Sequence, residues 1–476
     1  MNTLETDYLV IGSGAVGMAF VDTLVSETQA QVTLIDRHGK PGGHWNDAYS
    51  FVTLHQPSAF YGVNSLELGG RRIDTRGTNR GMLELASGPE ICGYYDRVMN
   101  RHLLPSGRVD YHPMCNYLGD GQFESLLSGQ RTQVKVRKKV VDATYYSPPV
   151  PSTHTRKFTV AEGVRVVPPN ALPQLGLSTL VSGLPQRYVI LGAGKTAMDA
   201  CIWLIQAGAS PDSIHWVVPR DSWLVKRITT QPAPEFFFDS IGNQAKQLEA
   251  MAQAQSVDDL FLRLEACGFL TRIDTTRQPG MFHFATVAPG EVDVLRSIQN
   301  VIRKGHVRAI EPDRLVLDGG VEPMPANSLY VDCTASAVEP RAVQPIFQPD
   351  KIVLQVVRIP LPTFSAALIA YVEAHYEGDQ AKNRLCASVP FPNRLQDYPR
   401  TLMVSMWNQA QWSQDKTLRN WVRESRLDGF GKIMTGIDAQ DTEKLAVVAQ
   451  MRERAMAAMA NLPKLMAAPQ NNGDPA

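Results

Sequence analysis

The chain has 476 residues, enough for two or three domains with well-buried cores. Its 47 basic and 47 acidic residues cancel, so no overall field draws it to nucleic acid or to an anionic membrane. No apolar run approaches the roughly 18 to 20 residues that span a bilayer, the first residues have neither a basic region nor an apolar core, and a cytoplasmic location is expected. The six cysteines (Cys92, Cys115, Cys201, Cys267, Cys333, Cys386) are scattered, with no CxxC pair and no His/Cys cluster at ligand spacing. Small buried apolar side chains are expected there, and neither disulfide exchange nor a bound metal.

Tyr8, Leu9, Val10 and Ile11 form an apolar run that stops at Gly12-Ser13-Gly14-Ala15-Val16-Gly17, the pattern of a buried strand turning abruptly into a helix. Gly12 permits the tight turn, Gly14 leaves bare backbone for a pyrophosphate, and Gly17 lets the helix pack closely on its strand. Ala15 and Val16 open that helix, whose N-terminus faces the phosphates. Val32 to Ile35 form a second strand closed by Asp36, a carboxylate able to accept both hydroxyls of an adenosine ribose. The loop Arg37-His38-Gly39-Lys40-Pro41-Gly42-Gly43-His44-Trp45 then brings backbone close to whatever lies on the first helix.

An acid closing the second strand and followed by PGGxW resembles the flavin-containing monooxygenases and the related Baeyer-Villiger monooxygenases. The resemblance implies that Arg37, Gly43, His44 and Trp45 lie along an FAD diphosphate, on the way to the flavin. Tyr49 to Ser58 resembles the family segment in which LH-x-P-K follows Y-x-x-L, with Ser58 where lysine is common. That segment passes the reactive edge of the flavin, so the resemblance places His55 and Gln56 there, His55 where many animal-type members carry an active-site asparagine. Read without the resemblance, a lone histidine in such a run is more often a hydrogen-bonded structural residue.

Residues 64 to 90 lack periodicity and read as surface loop, Glu90 to Leu103 as an amphipathic helix, and Val109 to Pro113 as a short strand. Cys115 stands where related flavoproteins hold the adenine with main-chain atoms. After a strand from Val134 to Val141, Asp142-Ala143-Thr144-Tyr145 resembles D-x-ATG, the family's crossing between its FAD and pyridine-nucleotide domains, with Tyr145 replacing glycine. The resemblance assigns Ala143 and Thr144 to the FAD site. The FxGxxxHxxx(Y/F) signature of those monooxygenases is missing, and Phe158 to Leu184 holds several prolines instead.

Tyr188 to Leu191, Gly192-Ala193-Gly194 and the helix opening at Lys195-Thr196 repeat the first unit as strand, GxGxxA and helix, which makes Gly192, Gly194, Lys195 and Thr196 coenzyme-binding candidates. A phosphate-binding loop of the Walker type is excluded, because Val189 stands where its first glycine is needed. The second strand, Ile214 to Val218, ends in Pro219-Arg220-Asp221-Ser222-Trp223. Arginine in place of the acid of the first unit can hold a 2'-phosphate bidentately, which points to NADPH. VVPRDSW also resembles the FQRTPNW segment of Baeyer-Villiger enzymes, and Trp223 is assigned with it. Lys226 and Arg227 are open to two readings, an added positive field or ordinary exposed bases.

Gln231 to Arg277 is an insertion whose open roles are capping the site, contact in a homodimer, and plain packing. Glu291 to Ile302 reads as helix and Val307 to Leu317 as a hairpin. Leu329 to Ser336 resembles a second D-x-ATG crossing, and Ile352 to Arg358 a last strand carrying Gln355. Thr363 opens the helix Phe364 to His375, whose N-terminus in two-dinucleotide flavoproteins points at the flavin pyrimidine; the alternative is a packing helix. Thr401 to Met466 reads as largely helical, and the tail from Pro469 as disordered.

The expected fold is α/β, two doubly wound dinucleotide-binding (Rossmann-like) domains with the NADPH domain inserted in the FAD domain, plus a helical C-terminal extension. The expected boundaries are 1–165 and 326–395 for the FAD domain, 185–325 for the NADPH domain with its insertion at about 231–290, and 396–476 for the extension. The resemblance implies an FAD- and NADPH-dependent monooxygenase in which reduced flavin takes up oxygen at C4a and an organic nucleophile or ketone is oxygenated. A flavin reductase that never inserts oxygen, and a redox sensor that uses the nucleotides only as ligands, remain open.

Overall fold

Alternation ceases where strands are buried on both faces, and the apolar run before the first glycine turn is such a case: Leu9 and Val10 are both 0 % exposed. The computed structural model describes residues 2–146, 149–175, 185, 187–336 and 341–467. The first strand, Asn2–Ile11, pairs in parallel with Val32–Ile35 on one side and Arg131–Asp142 on the other. Val109–His112 extends the sheet beyond Val32–Ile35, and Lys351–Val353 pairs with the end of Arg131–Asp142. Antiparallel strands Gln122–Ser125 and Cys115–Gly119 complete seven. Helices Ala15–Glu27 and Pro362–His375 cover one face and share its core with Tyr8, Val10, Phe20 and Leu368.

A second sheet, all parallel, runs Val301–Ile302, Ile214–Val217, Arg187–Leu191, Ser328–Asp332 and Arg165–Val167. Two observations differ from the expected boundaries. Arg165–Val167 pairs with Leu329 to Val331, and Thr159–Val160 pairs with Ala309 and Ile310, so the chain has entered the second unit before residue 165. Strands of two and three residues carry too little periodicity to be read, and only their partners define them. The helix expected over Glu291 to Ile302 is Pro289–Arg296, and Val301–Ile302 is an edge strand. The last strand stops at Val353; the Leu354 amide still donates to the Asp142 carbonyl (3.0 Å), whereas the Val357 amide donates to Ser365 Oγ (3.1 Å).

The insertion is packed. Leu224–Lys226 lies between Leu270–Thr271 and Thr286–Val287, helix Asn243–Gln253 packs against the C-terminal helix Thr442–Ala467, and helix Val257–Ala266 packs against Asn243–Gln253. Phe261, Phe282, Tyr398, Leu402, Ala458 and Leu462 fill one core, and Asn461 Nδ2 donates to the carbonyls of Met251 (2.9 Å) and Ala254 (2.8 Å). Insertion and extension thus bury each other's apolar faces. The tail from Pro469 lies outside the described residues, as does most of the segment from 176 to 186. Among the described residues no helix is long and apolar enough to cross a membrane.

Candidate functional site

At the C-terminal edge of the first sheet, Gly12 has φ +101° and a Cβ on Gly17 would stand 1.9 Å from the Gly12 carbonyl oxygen. The helix therefore starts against its own strand, as the motif requires. The Gly42 amide donates to the Ser13 carbonyl (3.0 Å), which draws the second glycine loop across the turn. A Cβ on Gly43, whose φ is +56°, would stand 2.9 Å from Gly14 Cα. No side chain caps Ala15–Glu27 and no acid sits in its first turn, whereas Gly88–Val98 is closed by a capping box of Ser87 and Glu90. Bare glycine backbone before uncapped amides fits a dinucleotide pyrophosphate.

Asp36 is buried at the end of the second strand and accepts from the Ser13 amide (2.5 Å), Ser13 Oγ (2.9 Å), the His38 amide (2.8 Å) and His38 Nδ1 (3.0 Å). Burial pushes its pKa up, but the donors of His38 and Ser13 overcome this and hold the carboxyl below its ordinary range. A carboxylate has about four acceptor positions, so a ribose diol would replace side-chain donors such as Ser13 Oγ. His38 was not singled out from the sequence. Its Nε2 meets Asp47 at 2.8 Å, and the two carboxylates raise its pKa to about 9, the Asp36 hydrogen bond contributing most. Cys115 sits behind this acid, its amide donating to the Asp36 carbonyl (2.8 Å), while Arg37 is exposed.

A raised folded-state pKa stabilises the fold fully below the free value of 6.5, and the contribution fades as pH rises through about 9. Thermal midpoints measured from pH 6 to 10 are expected to fall across that window. His38→Asn should flatten that part of the profile, and an identical slope in the variant would remove His38 from the account.

Each glycine turn abuts a chain crossing. Ala143 N donates to the Ile11 carbonyl (3.0 Å), and a Cβ on Gly12 would meet Thr144 Cγ2 at 3.2 Å. In the second unit a Cβ on Gly192 would meet the Cys333 carbonyl at 2.7 Å. The crossings share one geometry: Thr144 amide and hydroxyl donate to Asp142 (2.9 and 2.7 Å), and those of Thr334 to Asp332 (3.1 and 2.7 Å). Tyr145 has no positive φ, so glycine is not needed there, and its hydroxyl donates to the Ala342 carbonyl (2.7 Å).

The segment after the second glycine loop runs between the two units. Trp45 Nε1 donates to Tyr61 Oη (2.8 Å), Tyr49 Oη donates to Asp199 (2.8 Å), and Phe51 stacks on Trp203 with centroids 5.1 Å apart. His44 is driven to a pKa of about 4, mainly by burial. His55, half-buried beside Gln56, is pushed to about 3, by burial first and then by the positive charges of Lys195 and Arg227. Its imidazole is neutral at physiological pH.

Gly192 (φ +115°) and Gly194 repeat the first turn, and a Cβ on Gly194 would meet nothing within 4 Å, so open space faces the uncapped helix Lys195–Gln206. Thr196 lies half-buried in its first turn. Lys195 does not face that space. Its ammonium pairs with Asp199 and with Glu291 (3.0 Å), and Glu291 also takes Arg227 Nη2 at 2.6 Å. Arg227 is 1 % exposed, and its Nε donates to the His55 carbonyl (2.6 Å) and its Nη1 to Asn79 (3.0 Å). Burial opposes ionisation of Glu291, yet Lys195 and Arg227 bring its pKa down to about 2. This interdomain network was not legible in the sequence, since its members are far apart in the chain.

Four other candidates stand apart from the turns. Trp223, expected beside the coenzyme, is 0 % exposed and stacks on Phe261 at 5.8 Å in the core shared with the C-terminal helix. Gln355 spends its amide on the Gln344 carbonyl (2.8 Å) and accepts from Ser388 (2.9 Å). Arg220 is exposed. Thr363 is buried in the first turn of Pro362–His375, which no side chain caps. Beyond Gly192, a cavity of about 360 Å³ opens past the strands Ile214–Val217 and Val301–Ile302, lined among others by Ala193, Val218, Asp221, Asp274 and Arg303.

A family model described as an NAD(P)-binding Rossmann-like domain matches residues 10–74. Among solved structures, the polycyclic ketone monooxygenase of the fungus Thermothelomyces thermophila is 13 % identical, the match covering 98 % of this chain and 88 % of that one with a TM-score of 0.47. The bacillithiol disulfide reductase of Staphylococcus aureus is 12 % identical, covering 79 % and 100 %, with a TM-score of 0.46. Uncharacterized protein Rv2000 of Mycobacterium tuberculosis and Uncharacterized protein Mb2023 of Mycobacterium bovis are each 46 % identical over 464 residues, spanning 98 % of this chain and 85 % of the relative. At that identity over nearly its whole length, the chain belongs to the family of these mycobacterial proteins.

Proposed function

We propose that the protein is an FAD-dependent, NADPH-using monooxygenase acting on a small organic substrate. The observation that carries this reading is the duplicated turn. Two strand-glycine-helix units, each uncapped and each abutting an Asp-x-Thr crossing, lie in one chain with the Tyr49 to His55 segment between them. The first unit, with Asp36 and the Gly43-His44-Trp45 loop, would hold FAD, and the second NADPH. FAD, when bound, supplies hydride acceptance and oxygen activation. His55 presents a neutral imidazole that can hold a hydrogen bond without delivering a charge, and the buried Arg227 holds its carbonyl at 2.6 Å.

The reductase reading is supported by the missing FxGxxxHxxx(Y/F) signature and by the altered crossing at Tyr145. Anaerobic reduction by NADPH followed by mixing with aerated buffer separates the two. Bleaching of a bound flavin, then oxygen consumption matched by oxygenated product from a ketone or organic nucleophile, is the expected result. Hydrogen peroxide as the sole oxygen product with every substrate offered would favour the reductase, and a colourless protein that FAD cannot reconstitute would overturn both. His55→Ala should retain FAD and its rate of reduction but release more peroxide per NADPH; an unchanged ratio would return His55 to a structural role.

A further inference from the structure

We propose that Arg303 decides the coenzyme choice of the second unit by holding Asp221 away from the adenosine ribose, an inference that rests on this unit binding a pyridine dinucleotide. In a doubly wound unit the residues just past the second strand meet the 2' position of that ribose, where an acid favours the free hydroxyl and a base favours a phosphate. This chain carries both at that place, Arg220 followed by Asp221. Only Asp221 lines the cavity beyond Gly192, together with Ala193 of the glycine turn and Val218 at the strand end. Taken alone, that placement would select NADH.

Arg303 changes the charge there. It follows the neighbouring strand Val301–Ile302, and its Nε and Nη2 donate to the two Asp221 oxygens at 3.0 and 3.3 Å. The same Nη2 also meets Asp274 at 3.1 Å. The fork thus occupies the lone pairs with which Asp221 would accept a ribose diol. The cavity lining holds three arginines (Arg272, Arg296, Arg303) and two aspartates (Asp221, Asp274), with Arg272 already paired to Glu265 (2.6 Å) and Arg303 to both aspartates. Trp216, Met198 and Leu295 give the same cavity an apolar wall suited to a base. Without Arg303 the lining loses the guanidinium that pairs with both aspartates, and two adjoining carboxylates face the ribose. A 2'-phosphate would be repelled and a diol accepted.

The test uses the full-length, FAD-loaded protein and two probes that differ only in the 2'-phosphate, adenosine 2',5'-bisphosphate and 5'-AMP, titrated by calorimetry. Arg303→Gln is expected to weaken the bisphosphate by about 10- to 100-fold, the range for loss of a charge-assisted contact together with a newly bared acid. Its 5'-AMP affinity should hold or improve, and the ratio of KM for NADPH to KM for NADH should rise in parallel. Adding Asp221→Asn to that variant should recover part of the bisphosphate affinity, a rescue that a merely structural Arg303 would not give. Equal weakening of both probes, or no recovery in the double variant, would overturn the proposal. If the unmutated protein binds neither probe and neither coenzyme reduces its flavin, the assignment of the second unit fails, and the inference with it.

Discussion

Gly17→Ala is expected to yield a protein that does not retain FAD and whose first unit is destabilised by about 3 kcal/mol or more, above the ordinary range for an overpacked methyl. The reason is geometric: the new Cβ would stand 1.9 Å from the Gly12 carbonyl oxygen and 3.2 Å from Ala143 Cβ. The first contact is backbone, so relief requires the helix to move off the strand and carry the glycine turn with it. Gly14→Ala is the control, because its Cβ would meet only the Gly43 backbone, Cα at an ordinary 3.6 Å and N at 3.9 Å. That variant should fold with a near-normal thermal midpoint yet bind FAD poorly, its methyl pointing where the pyrophosphate would lie. Flavin absorbance after gel filtration and the unfolding midpoint together read both outcomes. A yellow Gly17→Ala protein of normal stability would show that the helix does not need this contact.

Arg227→Met is expected to cost about 3 to 5 kcal/mol, the penalty for removing one partner of a buried ion pair. Glu291 would keep the Ala288 amide (2.7 Å) but, of its two cations, only Lys195, which it already shares with Asp199, and the His55 carbonyl would lose its 2.6 Å donor. The two units would lose their main polar connection at the place where both nucleotides are expected to meet. In the unmutated protein Glu291, held at about 2 against an ordinary 4.5, contributes stability that is present above pH 4.5 and is lost as pH falls towards 2. In Arg227→Met that acid window should narrow. Denaturant unfolding at pH 7 and at pH 4 measures both effects, and a loss below about 1 kcal/mol would mean that water replaces the guanidinium at little cost. Arg227→Met with Glu291→Gln should recover part of the loss, since a neutral amide no longer requires a cation.

What the sequence determined by itself is what chain neighbours enforce. The turn needs glycine at Gly12 for its positive φ and at Gly17 because the helix meets the Gly12 carbonyl five residues earlier, so that spacing can be read directly. The two crossings are legible for the same reason, since their threonines bond to an aspartate two residues away. Tertiary structure decided the rest, because the deciding partners are distant in the chain and side-chain type carries no address. Arg227 reads like any exposed base after a strand, yet it is buried against a carbonyl 172 residues earlier. Lys195 sits at the expected phosphate turn, but Glu291, 96 residues on, claims its ammonium. Trp223 follows a coenzyme-like pattern, while the insertion, through Phe261, and the C-terminal extension together supply the core that buries it. Asp221 and Arg303 are 82 residues apart, and only the parallel pairing of Ile214–Val217 with Val301–Ile302 brings the acid and its guanidinium to one cavity. Burial raises the energetic weight of such pairs, and burial is a property of the folded chain.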